Sequence, residues 1–209
     1  HMLSERTQNI PKPDLSKIED ERRLVYTGNN GYQRYEGSGL SPMPIPGGAG
    51  AYVANASEHD GIGDTTHLPQ RHVDMTERRF AKLDLLKDGT FESKNSQHPV
   101  AVLPWGGSKG PMSEAYDILE QNGVPVSWNF TMYLNPLPPD LLEELRTKEL
   151  VLVPELNYLG QFAARLRQLG VKAEAITQYT GLPFKVGDLV RQVTERVEAH
   201  SDVAAKAGV

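Results

Sequence analysis

The densest gathering of reactive side chains is the run Glu58-His59-Asp60-Gly61-Ile62-Gly63-Asp64-Thr65-Thr66-His67, with His72 close behind. Carboxylates and imidazoles crowded together are the raw material of a metal site, and a glutamate beside a histidine could pass a proton. Glu58, His59 and Asp60 are therefore the candidate catalytic residues. Their spacing matches neither a helical HExxH pair nor an EF-hand loop. Three consecutive residues rarely aim three side chains at one ion, so no metal is expected. A hydrogen-bonded loop, with polar side chains tying down backbone groups, fits the same residues.

A second segment, Trp105-Gly106-Gly107-Ser108-Lys109-Gly110, sits between a strand pattern and a helix pattern. Its glycines permit a sharp turn, and amides at a helix start can hold an anion. It is neither a P-loop nor the dinucleotide GxGxxG, so anion binding stands beside the plainer reading of a tight strand-to-helix turn. The third segment is Pro154-Glu155-Leu156-Asn157-Tyr158-Leu159-Gly160-Gln161. It follows an apolar strand, and ligands and partners gather at the carboxyl edge of open parallel sheets. That places Glu155 and Asn157 at an interface or sheet edge, while Asn157 also suits the N-cap of a helix starting at Tyr158. Tyr52, Trp105 and Trp128 read most simply as core or interface aromatics.

Composition narrows the chemistry. The chain has no cysteine, which removes disulfides, thiolate nucleophiles, cysteine zinc sites and iron–sulfur ligation. Any electrons moved in this system travel through other polypeptide. Twenty-two basic and 27 acidic side chains leave a net charge of −5, and no basic block occurs, so nucleic acid and anionic membranes are poor partners. There is no run of about 20 apolar residues and no signal-peptide pattern, which points to a cytoplasmic protein. The opening His1-Met2 reads as a cloning remnant, and hence the chain as a piece of a longer polypeptide.

The elements that must position these segments change in texture along the chain. Residues 28–50 are rich in glycine and proline but carry Tyr32, Tyr35, Leu40 and Ile45, which predicts a packed irregular loop. Thr76 to Lys87 reads as a helix with Met75, Phe80, Leu83 and Leu86 on one face and Arg78, Arg79 and Lys82 turned outward. A polar bridge spans residues 88–98. Strands are then predicted over 100–105, 124–130, 150–154 and 171–177, alternating with helices over 111–121, 138–145, 158–169 and 186–197. Such alternation argues for an α/β fold with a mostly parallel sheet. The alanine-rich tail from Ala199 is expected to fray.

Five segments together carry a family resemblance: residues 34–50 (RYEGSGLSPMPIPGGAG), 55–64 (NASEHDGIGD), 71–83 (RHVDMTERRFAKL), 105–115 (WGGSKGPMSEA) and 154–167 (PELNYLGQFAARLR). In this order and spacing they resemble the C-terminal third of the alpha subunit of 2-oxoacid:ferredoxin oxidoreductases, closest to the 2-oxoglutarate type. The resemblance implies a transketolase C-terminal-like domain over 99–198, preceded over 1–98 by the trailing part of a pyrimidine-binding domain and linker, with 199–209 as tail. It implies for the parent complex the oxidation of a 2-oxoacid to an acyl-CoA, with thiamine diphosphate, magnesium, an iron–sulfur cluster and coenzyme A as cofactors. The partners it implies are the beta subunit, the rest of the alpha subunit, and ferredoxin through the complex. The family's YPITPS-type substrate segment is missing, as is the metal-holding GDG…N motif of the partner subunit. KDG at 87–89 and DGIGD at 60–64 do not match the latter. The expected role of this chain is therefore structural and in subunit contacts, and alone it is expected to be inactive. A free-standing interaction or anion-binding module with the same fold is the alternative.

Overall fold

The computed structural model describes residue 14 and residues 24–28, 31–37 and 40–207. The chain divides into two units, one over Pro11–Leu86 and one built on residues 87 onward.

In the second unit the sheet is made by the continuous apolar runs. Strands β1 (Phe91–Lys94), β2 (Val100–Val102), β3 (Val126–Thr131), β4 (Leu150–Glu155) and β5 (Ala173–Thr177) lie in the order β1-β3-β2-β4-β5. Strands β2 to β5 pair in parallel, with Val102 opposite both Trp128 and Leu152, and β1 runs antiparallel to β3. The helices are α2 (Lys109–Gln121), α3 (Pro139–Thr147), α4 (Gln161–Gln168) and α5 (Val186–Ala207); α1 belongs to the first unit. Val100, Val102, Trp128, Leu152 and Ile176 pack with Met112, Tyr116 and Leu119 of α2 and Leu189 and Val193 of α5. Ala101, Leu103, Val151 and Val153 pack on the other face with Leu141 and Leu145 of α3 and Phe162 and Leu166 of α4. Both faces are covered, so β2 and residues 150–154 of β4 are apolar at every position and show no alternation, the charge of Glu155 coming only at the strand's end.

Three features of this unit differ from the sequence reading. The polar bridge contains β1, whose Phe-Glu-Ser-Lys sequence has one neighbouring strand and exposed side chains at Glu92, Ser93 and Lys94. An edge strand can be polar, and charged residues there discourage pairing with other chains. Helix α4 begins at Gln161 rather than Tyr158, because Gly160, at φ +60°, ends the preceding loop. Helix α5 continues to Ala207 through the stretch expected to fray. Inside the sheet unit Lys148 is buried, its ammonium donating to the carbonyls of Ser96 and His98 and to Ser127 Oγ. Burial pushes its pKa down, and Glu144 offsets part of that.

The first unit is held together differently. Among its described residues the one long helix is α1 (Pro69–Ala81), followed by a 3₁₀ turn over Lys82–Leu86. Pro69 occupies the first turn, where its missing N–H costs nothing, so the helix starts well before Thr76. The predicted inward face is also corrected: Arg78 is buried and Phe80 is 67% exposed. The Arg78 guanidinium donates to the Gly37 carbonyl and to Ser41 Oγ, each at 2.8 Å, which draws it inward. Rings of Tyr26, Tyr32, Tyr52, Tyr35 and His59 follow one another in contact, with centroids 4.0 to 6.1 Å apart. No helix of the described residues is long and apolar enough to cross a membrane.

Candidate functional site

Glu58, His59 and Asp60 open a closed loop. The Thr66 N–H donates to the Glu58 carbonyl, the Asp60 N–H to the Asp64 carbonyl, and His59 and Thr65 form an antiparallel bridge. Each side chain has its own task. Asp60 Oδ1 accepts from the N–H groups of Ile62, Gly63 and Asp64 at 3.0 to 3.1 Å. The His59 ring packs on Tyr35, its Nδ1 3.0 Å from the Asp60 carbonyl. The Glu58 carboxylate reaches α1, where it meets His72 Nδ1 and the Arg79 guanidinium. The hydrogen bond with His72, helped by Arg79, holds the Glu58 carboxyl below its ordinary pKa. Gly63 makes the loop possible: its φ is +99°, and a Cβ there would lie 2.2 Å from the Val53 carbonyl oxygen. The sequence brings the three residues together in one loop, but they do not converge on a common point. Among the described residues, no group of three or more His, Cys, Asp or Glu side chains is placed to hold a metal ion.

The other two segments meet. The loops after β2 and β4 leave the sheet at adjacent carboxyl ends, where α2 and α4 go to opposite faces. This is the switch point at which open α/β sheets form a crevice. A cavity of about 140 Å³ lies there, lined by Trp105, Gly107, Ser108, Leu156, Asn157 and Gln161. In the first loop, Gly106 takes φ +51° with open space around it. Ser108 Oγ accepts from the Trp105 N–H and donates to its carbonyl, closing a 3₁₀ turn over Gly106–Ser108. Lys109 turns elsewhere, its ammonium 4.0 Å from the Phe130 ring centroid and 3.4 Å from Glu92. Anion binding by Gly106, Gly107, Ser108, Lys109 and Gly110 would thus rest on backbone N–H groups. Among the described residues the buried Trp105 indole N–H has no partner.

In the second loop Glu155 is 1% exposed. Its carboxylate accepts from the N–H groups of Phe162 and Ala163, at 3.0 and 2.9 Å, and from Asn157 Nδ2 at 2.7 Å. Asn157 Oδ1 accepts from the Gly160 and Gln161 N–H groups. Free amides and the helix dipole make such a site attractive to an anion, and here the chain supplies its own. Glu155 faces inward, and the exposed large apolar residues of this edge are Leu156, Tyr158, Leu159, Tyr179 and Leu182. Sequence reading missed this patch, although Leu-x-Tyr-Leu ahead of a glycine, outside the helix, was its signal.

No protein-family model matches the chain. It is 32% identical over 152 residues to the 2-oxoglutarate oxidoreductase subunit KorA of Mycobacterium tuberculosis, covering 70% of this chain and 23% of that protein. It is 31% identical over 200 residues to the alpha subunit of 2-oxoacid:ferredoxin oxidoreductase 2 of Aeropyrum pernix, covering 88% and 31%. The chain is homologous to part of the alpha subunits of 2-oxoacid:ferredoxin oxidoreductases. Its fold matches the 2-oxoglutarate:ferredoxin oxidoreductase of Magnetococcus marinus, solved with 2-oxoglutarate, coenzyme A and succinyl-CoA bound. The TM-score is 0.77 at 29% identity, over 90% of this chain and 34% of that one. The α/β fold with a mostly parallel sheet, expected from strand and helix alternation, is the fold observed. The chain spans about a third or less of the length of these relatives.

Proposed function

We propose that this chain is the C-terminal part of the alpha subunit of a cytoplasmic, thiamine diphosphate-dependent 2-oxoacid:ferredoxin oxidoreductase, and that its own role is structural and in subunit contacts. The complex as a whole would convert a 2-oxoacid, coenzyme A and oxidised ferredoxin to an acyl-CoA, carbon dioxide and reduced ferredoxin. The observation that carries the role is the exposed edge of the sheet. Tyr158 and Tyr179 stack edge to face with centroids 5.0 Å apart, and with Leu159 and Leu182 each is 65 to 70% exposed. Apolar groups collected in this way favour a protein partner. The residues present do not fit the diphosphate–metal anchor of thiamine diphosphate. The acids of the 58–64 loop do not gather at one point, Asp60 being taken by backbone amides and Glu58 by α1. No step of the reaction is therefore assigned to this chain. In the full-length alpha subunit, Tyr158→Ser combined with Tyr179→Ser should lower both recovery of the assembled complex and 2-oxoacid-dependent dye reduction. The same changes should leave the thermal unfolding of the 209-residue chain within a few degrees of the unaltered one. Assembly at the unaltered yield would refute the contact role.

A further inference from the structure

Away from both loops described above, the first unit contains a cavity of about 360 Å³ lined by Leu24, Arg34, Leu40, Ser41, Met43 and Lys82. Two chain segments frame it, held side by side by the Tyr26 N–H donating to the Met43 carbonyl and the Met43 N–H to the Leu24 carbonyl. Among the described residues its polar lining consists of donors. The Ser41 oxygen already accepts from Arg78, which leaves the hydroxyl proton to be donated. Among the described residues no carboxylate lies within ion-pair distance of Arg34, Arg78 or Lys82. The acid whose field reaches Arg78 is Glu36, and its carboxylate is 3.9 Å from Arg71. Burial lowers the pKa of Lys82, and the charges of Arg78 and Arg34 lower it further. Three cations held close with no acid of the described residues between them repel one another, a cost that a bound dianion would reverse.

We infer that the cavity between Arg34, Ser41 and Lys82 binds a phosphate monoester with a short apolar substituent, the phosphate on the two cations and the hydroxyl, the hydrocarbon on Leu24, Leu40 and Met43. A monoester dianion matches the two lining cations in charge, and guanidinium and ammonium groups are the usual phosphate donors. The volume is in the range of small-ligand pockets. Leu24 and Leu40, 65% and 74% exposed, gain cover from the hydrocarbon.

Backbone amide spectra of the ¹⁵N-labelled 209-residue chain, titrated with butyl phosphate, inorganic phosphate and butyrate, test this. Butyl phosphate should shift the amides of Arg34, Leu40, Ser41 and Met43 saturably, and bind at least about threefold more tightly than inorganic phosphate. Butyrate, with one charge, should bind more weakly than the monoester. Arg34→Gln and Lys82→Gln should each weaken butyl phosphate binding about tenfold, and Arg191→Gln, which removes an exposed cation of α5 in the other unit, should leave it unchanged. Where either charge removal disturbs folding, Leu40→Glu places an acid beside the cations from an exposed position and should abolish binding. No saturable shift, an equal response in Leu40→Glu, or tighter binding of butyrate would overturn the inference. None of these outcomes bears on the subunit assignment, which rests on homology and the sheet edge.

Discussion

The two units solve the same problem with different materials. From residue 87 onward, apolar strands are covered on both faces by helices, and charged groups in the interior keep partners, Glu155 at the start of α4 and Lys148 on the carbonyls of residues 96 and 98. In residues 11–86 the described backbone is mostly loop, and the tyrosines, Arg78, Asn55 and Asp60 hold it through rings and backbone bonds. The sheet unit draws on area removed from water, which is insensitive to pH. The loop unit draws on directional contacts, several of them charged, and should respond to pH and to backbone strain.

The largest effect that would sharpen this contrast is expected at Glu155. Glu155→Ala leaves the Phe162 and Ala163 amides buried with no acceptor, and should cost the sheet unit about 3 kcal/mol in urea unfolding. A change below about 1 kcal/mol would mean that the helix start finds water or another acceptor. Next comes Gly63→Ala, which puts a Cβ against the Val53 carbonyl at a left-handed φ. A cost of about 2 kcal/mol is expected, read as roughly 30-fold faster hydrogen exchange at Ile62, Gly63 and Asp64, with amides of β4 unaffected. Equal acceleration in β4 would erase the distinction between the units.

The smallest effect concerns Glu58. Its folded pKa is depressed, first by His72 and then by Arg79, so the stabilisation is present above its ordinary value of 4.5 and is lost as pH falls through the lowered folded value. Acidification through that window should release the loop from α1, seen as a change in the Arg79 side-chain resonance, and Glu58→Gln should remove the transition. A variant that keeps the transition would place the responsible acid elsewhere.

How much of this was legible depended on the same contrast. Val100–Val102 and residues 150–154 stand out in the sequence because burial on two faces demands unbroken apolar runs, and the helix after Ser108 because Met112, Ala115, Tyr116 and Leu119 recur at helical spacing. Strand β1 does not, since an edge strand made of Phe, Glu, Ser and Lys carries no such run. Arg78 looked like a solvent-facing cation because its partners, Gly37 and Ser41, lie about 40 positions earlier. Glu155 stands in the sequence at the end of an apolar strand, yet its task as an anion for α4 depends on a turn at Asn157 to Gly160 that brings it back to amides seven and eight residues ahead. The cations around the 360 Å³ cavity come from Arg34 and from the end of α1, and no local spacing joins them. The basic triad Arg78, Arg79 and Lys82 was the visible part of that signal.

The measurement that most directly tests the central claim is calorimetric titration of the purified 209-residue chain with thiamine diphosphate and magnesium, followed by dye reduction with 2-oxoglutarate and coenzyme A. A chain whose Asp60 is bonded to backbone amides and whose Glu58 is bonded to α1 should give no saturable heat and no turnover, while the full-length alpha subunit with its partner should give both. Saturable binding or turnover by the chain alone would contradict the structural role and place a catalytic site within these residues, with Glu58, His59 and Asp60 the first to be substituted.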